Sequence, residues 1–228
     1  MLKAVVFDLD GTLTVLTLPL EAMRKDTKEY YYARGLPPGV FDQSDGISSS
    51  TMKAKSYFLS RGTTLSNWER MEAEVDMMLS EYEGSVADEV RVIEGALETV
   101  RAVRARGLKT AILTNNGRLA VDIMLKIIPL EHLFEIIQTR NESPTPKPFP
   151  DGLITIVKNL GVRSDQVVYV GDASIDGAAA SRAGIEFWGV TTGETDRETL
   201  LYAGAKVVVS SLNGILPLID SRLSKRGS

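Results

Sequence analysis

The sequence predicts an α/β protein: a doubly wound, parallel, Rossmann-like sheet interrupted early by an inserted helical domain. Three observations predict it. Short apolar runs that end abruptly in polar residues recur along the chain, as expected of strands covered on both faces of a parallel sheet. Helical segments of about ten residues separate these runs, and that alternation means βαβ winding. After the first run, residues 15–89 carry helical periodicity and little strand signal. The reading is therefore a discontinuous core domain, 1–14 and 90–228, around a helical domain at 15–89.

Val5-Val6-Phe7 is the first strand, and it runs into Asp8-Leu9-Asp10-Gly11-Thr12-Leu13. Pro19 opens a helix in which Leu20, Met23, Thr27 and Tyr30 or Tyr31 recur at three- and four-residue steps, until Gly35-Leu36-Pro37-Pro38-Gly39 stops it. Gln43 to Ser50 reads as a polar loop and Met52 to Leu59 as a short helix ending near Gly62. From Ser66 to Glu83, Trp68, Met71, Val75, Met78, Leu79 and Tyr82 form one stripe, with Ser66 as cap and Glu69 three residues on. Such a stripe packs against neighbouring helices.

The alternation then becomes regular. A helix spans Gly95 to Arg106, stopped by Gly107, and Leu108 to Leu113 is a strand ending at Thr114-Asn115-Asn116-Gly117. Arg118 to Ile128 is a helix stopped by Pro129, and Phe134 to Gln138 a short strand. In Ser143-Pro144-Thr145-Pro146-Lys147-Pro148-Phe149-Pro150, prolines at alternate positions predict an extended loop. Asp151 to Leu160 is a helix closed by Gly161, Val167 to Val170 a strand ending at Gly171-Asp172, and Ile175 to Ala183 a helix closed by Gly184. Ile185 to Val190 and Ala205 to Val209 are the last strands read.

The 228 residues suffice for one large domain or two small ones, and 25% charged residues is ordinary for a globular protein. A net charge of −4 argues against nucleic acid or an anionic membrane as the main partner. The basic tail, Ser224-Lys225-Arg226-Gly227-Ser228, reads as a solvated end. With no cysteine, disulfides, thiolate metal sites and cysteine nucleophiles are excluded. The apolar start, Leu2 to Phe7, is too short for a secretory segment, so the expected location is the cytoplasm.

Strands of a parallel sheet run the same way, and their carboxyl ends line one edge, where open α/β sheets bind ligands. Asp8/Asp10, Thr114/Asn115, Lys147 and Asp172/Asp176 should therefore converge. Four carboxylates, a hydroxyl and an ammonium suit a divalent cation plus a phosphoryl group. Hard oxygen ligands select Mg²⁺, with Thr114 and Lys147 on the remaining phosphate oxygens. Each group alone has a plainer reading: a helix cap for Thr-Asn, an exposed lysine for Lys147, dipole complementarity for Asp176. The Asp-Leu-Asp-Gly-Thr stretch is the specific signal. An EF-hand loop would need glycine and glutamate where Leu13 and Pro19 stand. His132, the sole histidine, reads as structural.

The four motifs, in this order and on these elements, resemble the haloacid dehalogenase superfamily. Asp8 to Leu13 matches its first motif, Thr114 the second, Lys147 the third, and Gly171-Asp172 through Asp176 the fourth. The helical insert is similar to the C1 cap of the phosphoglycolate phosphatase-like subgroup. The resemblance implies that Asp8 is a nucleophile forming an aspartyl-phosphate. Asp10 would be the general acid and base, its backbone carbonyl also touching the metal. Asp8 and Asp172 would ligate Mg²⁺ directly and Asp176 directly or through water. Thr114, the Asn115 amide and Lys147 would grip the phosphoryl oxygens.

The implied activity is that of a phosphatase on a small phosphomonoester, such as phosphoglycolate or a sugar phosphate. The dehalogenase and phosphonatase branches lack an aspartate at the position of Asp10. A β-phosphoglucomutase-like phosphomutase keeps both and stands as the alternative, although the insert holds no histidine. A catalytically silent binding module is the reading from another class. Arg24, Lys25, Lys28, Arg34, Lys53 and Lys55 are candidates to hold an acidic substrate, with solvated charges as the plainer reading.

Overall fold

The computed structural model describes residues 1–15, 18–193 and 195–224, so the basic tail at 225–228 lies outside the described residues. Strand β1 (Ala4–Phe7) precedes three helices, α1 (Leu20–Tyr32), α2 (Ile47–Ser60) and α3 (Leu65–Val86). Then follow α4 (Ala96–Ala105), β2 (Lys109–Leu113), α5 (Arg118–Ile127), β3 (Ile136–Gln138) and α6 (Asp151–Leu160). The chain continues with β4 (Val167–Gly171), α7 (Ser174–Ala183), β5 (Glu186–Val190), α8 (Arg197–Tyr202), β6 (Val207–Val209) and α9 (Ile215–Ser224). The chain divides into two compact units, Met1–Thr17 with Asp88–Ser228, and Leu18–Ala87. No helix among the described residues is long and apolar enough to cross a membrane.

The first unit is built on one parallel sheet in the order β3-β2-β1-β4-β5-β6, the doubly wound α/β arrangement. Strand β1 is central because all four of its residues, Ala-Val-Val-Phe, are buried. Its alternate residues Ala4 and Val6 join Ala111, Leu113, Val167 and Tyr169 on one face. Leu153, Ile156 and Leu160 of α6 and the small Ala179 and Ala180 of α7 cover that face. Burying one large aliphatic side chain stabilises by about 1.5–3 kcal/mol. In register, Phe7 stands opposite Ile112 of β2 and Val170 of β4. The chain leaves and re-enters this unit through paired segments: Val15 N–H donates to Arg91 O at 2.8 Å and Ile93 N–H to Leu13 O at 2.9 Å. A long helical insertion between them therefore leaves the sheet register undisturbed.

The second unit packs α1, α2 and α3 around an aromatic cluster. Tyr31 stacks on Trp68 at 5.9 Å between centroids and 13° between planes, and Phe41 and Phe58 lie 6.3 and 6.4 Å from Tyr31. Met23, Ala54, Val75 and Leu79 complete that core. Helix α2 begins at Ile47, inside the stretch expected to be loop. Its serines mislead because Ser50 is fully buried, so its small polar side chain faces inward rather than solvent. The cap of α3 is Thr64, whose hydroxyl accepts from Asn67 N–H at 3.2 Å, and not Ser66. Lys28 and Lys53 pin the Asp42–Asp45 loop: Lys28 Nζ donates to Asp42 O at 2.9 Å and Lys53 Nζ to both Asp42 and Asp45 carboxylates at 2.6 Å. Arg34 pairs with Glu74 at 2.5 Å. These three cations are engaged inside the unit, which counts against the acidic-substrate reading for them.

Candidate active site

Asp8 stands one residue beyond β1, and its N–H still donates to Val170 O of β4 at 2.8 Å. That bond holds its side chain at the sheet's carboxyl edge, where the winding reverses between β1 and β4. Asp172 follows β4, and Asp176 lies in the first turn of α7, its Oδ2 accepting from Ala173 N–H at 3.0 Å. Asp8, Asp172 and Asp176 are all buried, and each offers an oxygen within 4.8 Å of the others. Among the described residues this is the acid trio placed to hold a metal ion.

Lys147 is buried rather than exposed. Its loop is turned and not extended: the Lys147–Pro148 peptide is cis, and Phe149 N–H returns to Pro146 O at 3.1 Å. The Lys147 ammonium donates to Asp8 Oδ1, to Asp176 Oδ1 at 2.7 Å and to the Tyr169 hydroxyl at 3.1 Å. Tyr169 in turn donates to Asp176 Oδ1 at 2.8 Å. Asn115 fixes the lysine's main chain from both sides, donating to Lys147 O and accepting from Lys147 N–H, each at 2.9 Å. Its side chain is therefore occupied with the lysine loop.

The electrostatics are those of a site short of positive charge. Burial pushes Asp8 well above the usual carboxylate range, Lys147 opposes this, and Asp176 and Asp172 add to it. Burial and then Asp176 push Asp172 up to about 7, against Lys147 and the Thr12 hydroxyl. Burial works against charged Lys147, but Asp176 and Asp8 outweigh it and hold the ammonium above the ordinary lysine value. Burial, Asp176 and Asp8 raise Tyr169 well above its ordinary value, so it serves as a neutral donor. Three carboxylates facing one ammonium leave an excess of negative charge that a divalent cation would neutralise.

Two glycines make room for Asp172. A Cβ on Gly11, which has φ +80, would lie 2.3 Å from Asp172 Oδ2, and one on Gly193 would lie 1.8 Å from it. Asp10 is held separately: Oδ1 accepts from Thr14 Oγ1 at 2.8 Å and Oδ2 from Asn116 Nδ2 at 2.5 Å. The reverse orientation of the Asn116 amide would set its oxygen against a carboxylate, so charge fixes the assignment. Thr114 is buried and its Oγ1 accepts from Asn116 N–H at 3.1 Å.

The fold thus gathers Asp8, Asp172, Asp176 and Lys147 into one cluster, with Asn115 bound to the lysine. Asp10 and Thr114 join through Asn116. His132 lies apart and exposed, on a 3-10 turn at Glu131–Leu133. Sequence reasoning missed Thr12, Thr14, Asn116, Tyr169 and Gly193. Tyr169 gave a usable signal, being a phenol in a strand otherwise made of valine and glycine.

A parallel sheet carrying buried acids and a lysine at its switch point defines the class of α/β protein whose site lies at the carboxyl ends of the strands. The chain matches the haloacid dehalogenase-like hydrolase family over residues 5–190. It belongs to that family, and it is an enzyme of the phosphatase type within it. It is 25% identical to a phosphoglycolate phosphatase of Shigella dysenteriae, across 96% of this chain and 92% of that protein. It is 27% identical to the phosphoglycolate phosphatase of Escherichia coli K12, there across 62% of this chain and 57% of that protein. A hydrolase from Pseudomonas syringae superposes with a TM-score of 0.67 at 26% identity, covering 96% of this chain and 98% of the other.

Proposed function

We propose that this enzyme is a Mg²⁺-dependent phosphatase of the cytoplasm that hydrolyses a small phosphomonoester, phosphoglycolate or a sugar phosphate, through an aspartyl-phosphate on Asp8. The observation that carries the proposal is the separation of two carboxylates. Asp8 lies with Lys147 and two further acids, whereas Asp10 stands outside that trio and accepts from Thr14 and Asn116. Carboxylates in different surroundings can divide nucleophilic and acid–base work between them.

The acid trio fits a hard divalent cation, because buried oxygen donors in excess of positive charge are what such an ion requires. Asp8, Asp172 and Asp176 would hold it, with the Asp10 backbone carbonyl. Bound there, it would neutralise phosphate charge and the trio's own repulsion. Asp8 attacks phosphorus, the bond to the leaving oxygen breaks, and Asp10 gives that oxygen its proton. Water then attacks the aspartyl-phosphate, losing a proton to Asp10, and inorganic phosphate departs from a regenerated Asp8 carboxylate. Lys147 and Thr114 hold the phosphoryl oxygens. The Asn115 side chain is engaged, so the phosphate contact proposed for Asn115 is through its main-chain N–H. The helical unit Leu18–Ala87 is proposed as the cap that selects the leaving group.

Purified protein with Mg²⁺ and a panel of phosphoglycolate, sugar phosphates and p-nitrophenyl phosphate tests this. Release of inorganic phosphate that vanishes in Asp8→Asn is expected. An isomerised sugar phosphate without phosphate release would make the enzyme a mutase. No turnover by folded protein would make it a silent binding module.

A further inference from the structure

The clamp on Asp10 involves a residue outside the acid set. We propose that Asn116 is a positioning residue, its amide holding the Asp10 carboxyl in the orientation from which it serves the leaving oxygen. The inference rests on the phosphatase reading of this site.

A carboxyl group turns easily about its terminal torsion, whose energy wells are broad. One hydrogen bond fixes one oxygen; two donors from different elements fix the plane. Thr14, on the segment after β1, supplies one at 2.8 Å. Its hydroxyl also lies 3.2 Å from Leu9 O, an alternative acceptor, so Thr14 alone is a divided donor. Asn116, on the loop after β2, supplies the second donor at 2.5 Å.

Asn116 is itself immobilised. It is buried, its N–H donates to Thr114 Oγ1 at 3.1 Å, and its carbonyl accepts from Arg140 N–H at 3.0 Å. Arg140 Nη1 also reaches the preceding carbonyl, Asn115 O, at 2.7 Å. Met124 Sδ lies 4.0 Å from the amide nitrogen. The amide donates to the carboxyl without itself adding a charge beside the proton-transferring group. The same residue links Asp10 to Thr114, so the acid and a phosphate-holding hydroxyl share one rigid support.

Leaving groups separate positioning from mere structure. p-Nitrophenolate departs without a proton, whereas an alkoxide needs one from Asp10. In Asn116→Ala, kcat on an alkyl ester, phosphoglycolate or glycerol 3-phosphate as the wild type accepts, should fall about 100-fold, within the range general acid catalysis supplies. KM should change little. The burst of p-nitrophenolate should keep its rate, while steady-state turnover slows and phosphoenzyme accumulates, since Asp10 also activates water. Equal losses in the burst and on the alkyl ester, or no loss on either, would overturn the inference. Should Asn116→Ala not fold, Asn116→Leu nearly keeps the shape, removes the donor, and must show the same split. A folded wild type that hydrolyses neither ester removes the phosphatase reading itself, an outcome distinct from a failed split.

Discussion

Lys147→Met removes the one ammonium described among the three buried acids while nearly keeping the side chain's length. Lys147 bonds Asp8 and Asp176, and all three are buried, so solvent screening does not soften the loss. Breaking a buried pair by removing one partner costs about 3–5 kcal/mol. The protein can instead protonate a carboxylate, at about 1.36 kcal/mol for each pH unit above its reference pKa. From the ordinary aspartate value of 3.8, that route costs about 1.6 kcal/mol at pH 5 and about 5.7 at pH 8. The destabilisation should therefore be about 1–2 kcal/mol at pH 5 and about 3–5 at pH 8. Mg²⁺ should restore part of it at pH 8. Urea unfolding in EDTA, followed through Trp188 in a Trp68→Phe background, reads the first unit alone. A loss equal at both pH values, or below about 1 kcal/mol at pH 8, would refute the charge-balance reasoning.

Other outcomes follow from the same geometry. Asp172 has its folded pKa raised to about 7, so it favours folding below its unfolded value and that contribution is lost as pH rises through about 7. Asp172→Asn should thus raise the metal-free melting temperature at pH 8 relative to pH 5, and abolish the shift given by Mg²⁺. Gly193→Ala, whose Cβ would lie 1.8 Å from Asp172 Oδ2, should displace that carboxylate and weaken the response to Mg²⁺ with circular dichroism unchanged; an unaltered Mg²⁺ titration would count against the packing argument. Trp68→Ala should destabilise the helical unit by about 3–5 kcal/mol through the cavity it leaves, read by hydrogen exchange of α1 and α3 amides.

The sheet was legible because buried parallel strands are continuous apolar runs that stop sharply. Val5 to Phe7 and Val167 to Val170 needed nothing else, and Asp8 and Asp172 were placed by where those runs end. Helix α2 was harder, since Ser48, Ser49 and Ser50 carry no apolar period although Ser50 packs inside. Helix α8 has only six residues, one turn and a half, too short for periodicity to show. In the site, Asp8 and Asp172 were legible from residue type at strand ends, whereas Lys147, on the proline-rich loop, had an exposed lysine as its plainer reading and stood out only through the motif order. Asn116, Thr12 and Thr14 were not, because their role lies in contacts such as Thr12 to Asp172 at 3.2 Å across 160 residues of chain. The contacts of the helical unit's cations were hidden for the same reason: the positions of Lys28 and Lys53 do not reveal that the Asp42–Asp45 loop takes their ammonium groups.

The most direct test of the account is the covalent state of Asp8. Asp10→Asn protein with Mg²⁺ and p-nitrophenyl phosphate, quenched in acid within one turnover and digested, should carry the mass of one phosphoryl group on the peptide containing Asp8. The Asp8→Asn, Asp10→Asn double variant should carry none. A phosphoryl group on another residue, or free phosphate released by Asp8→Asn at the wild-type rate, would contradict it.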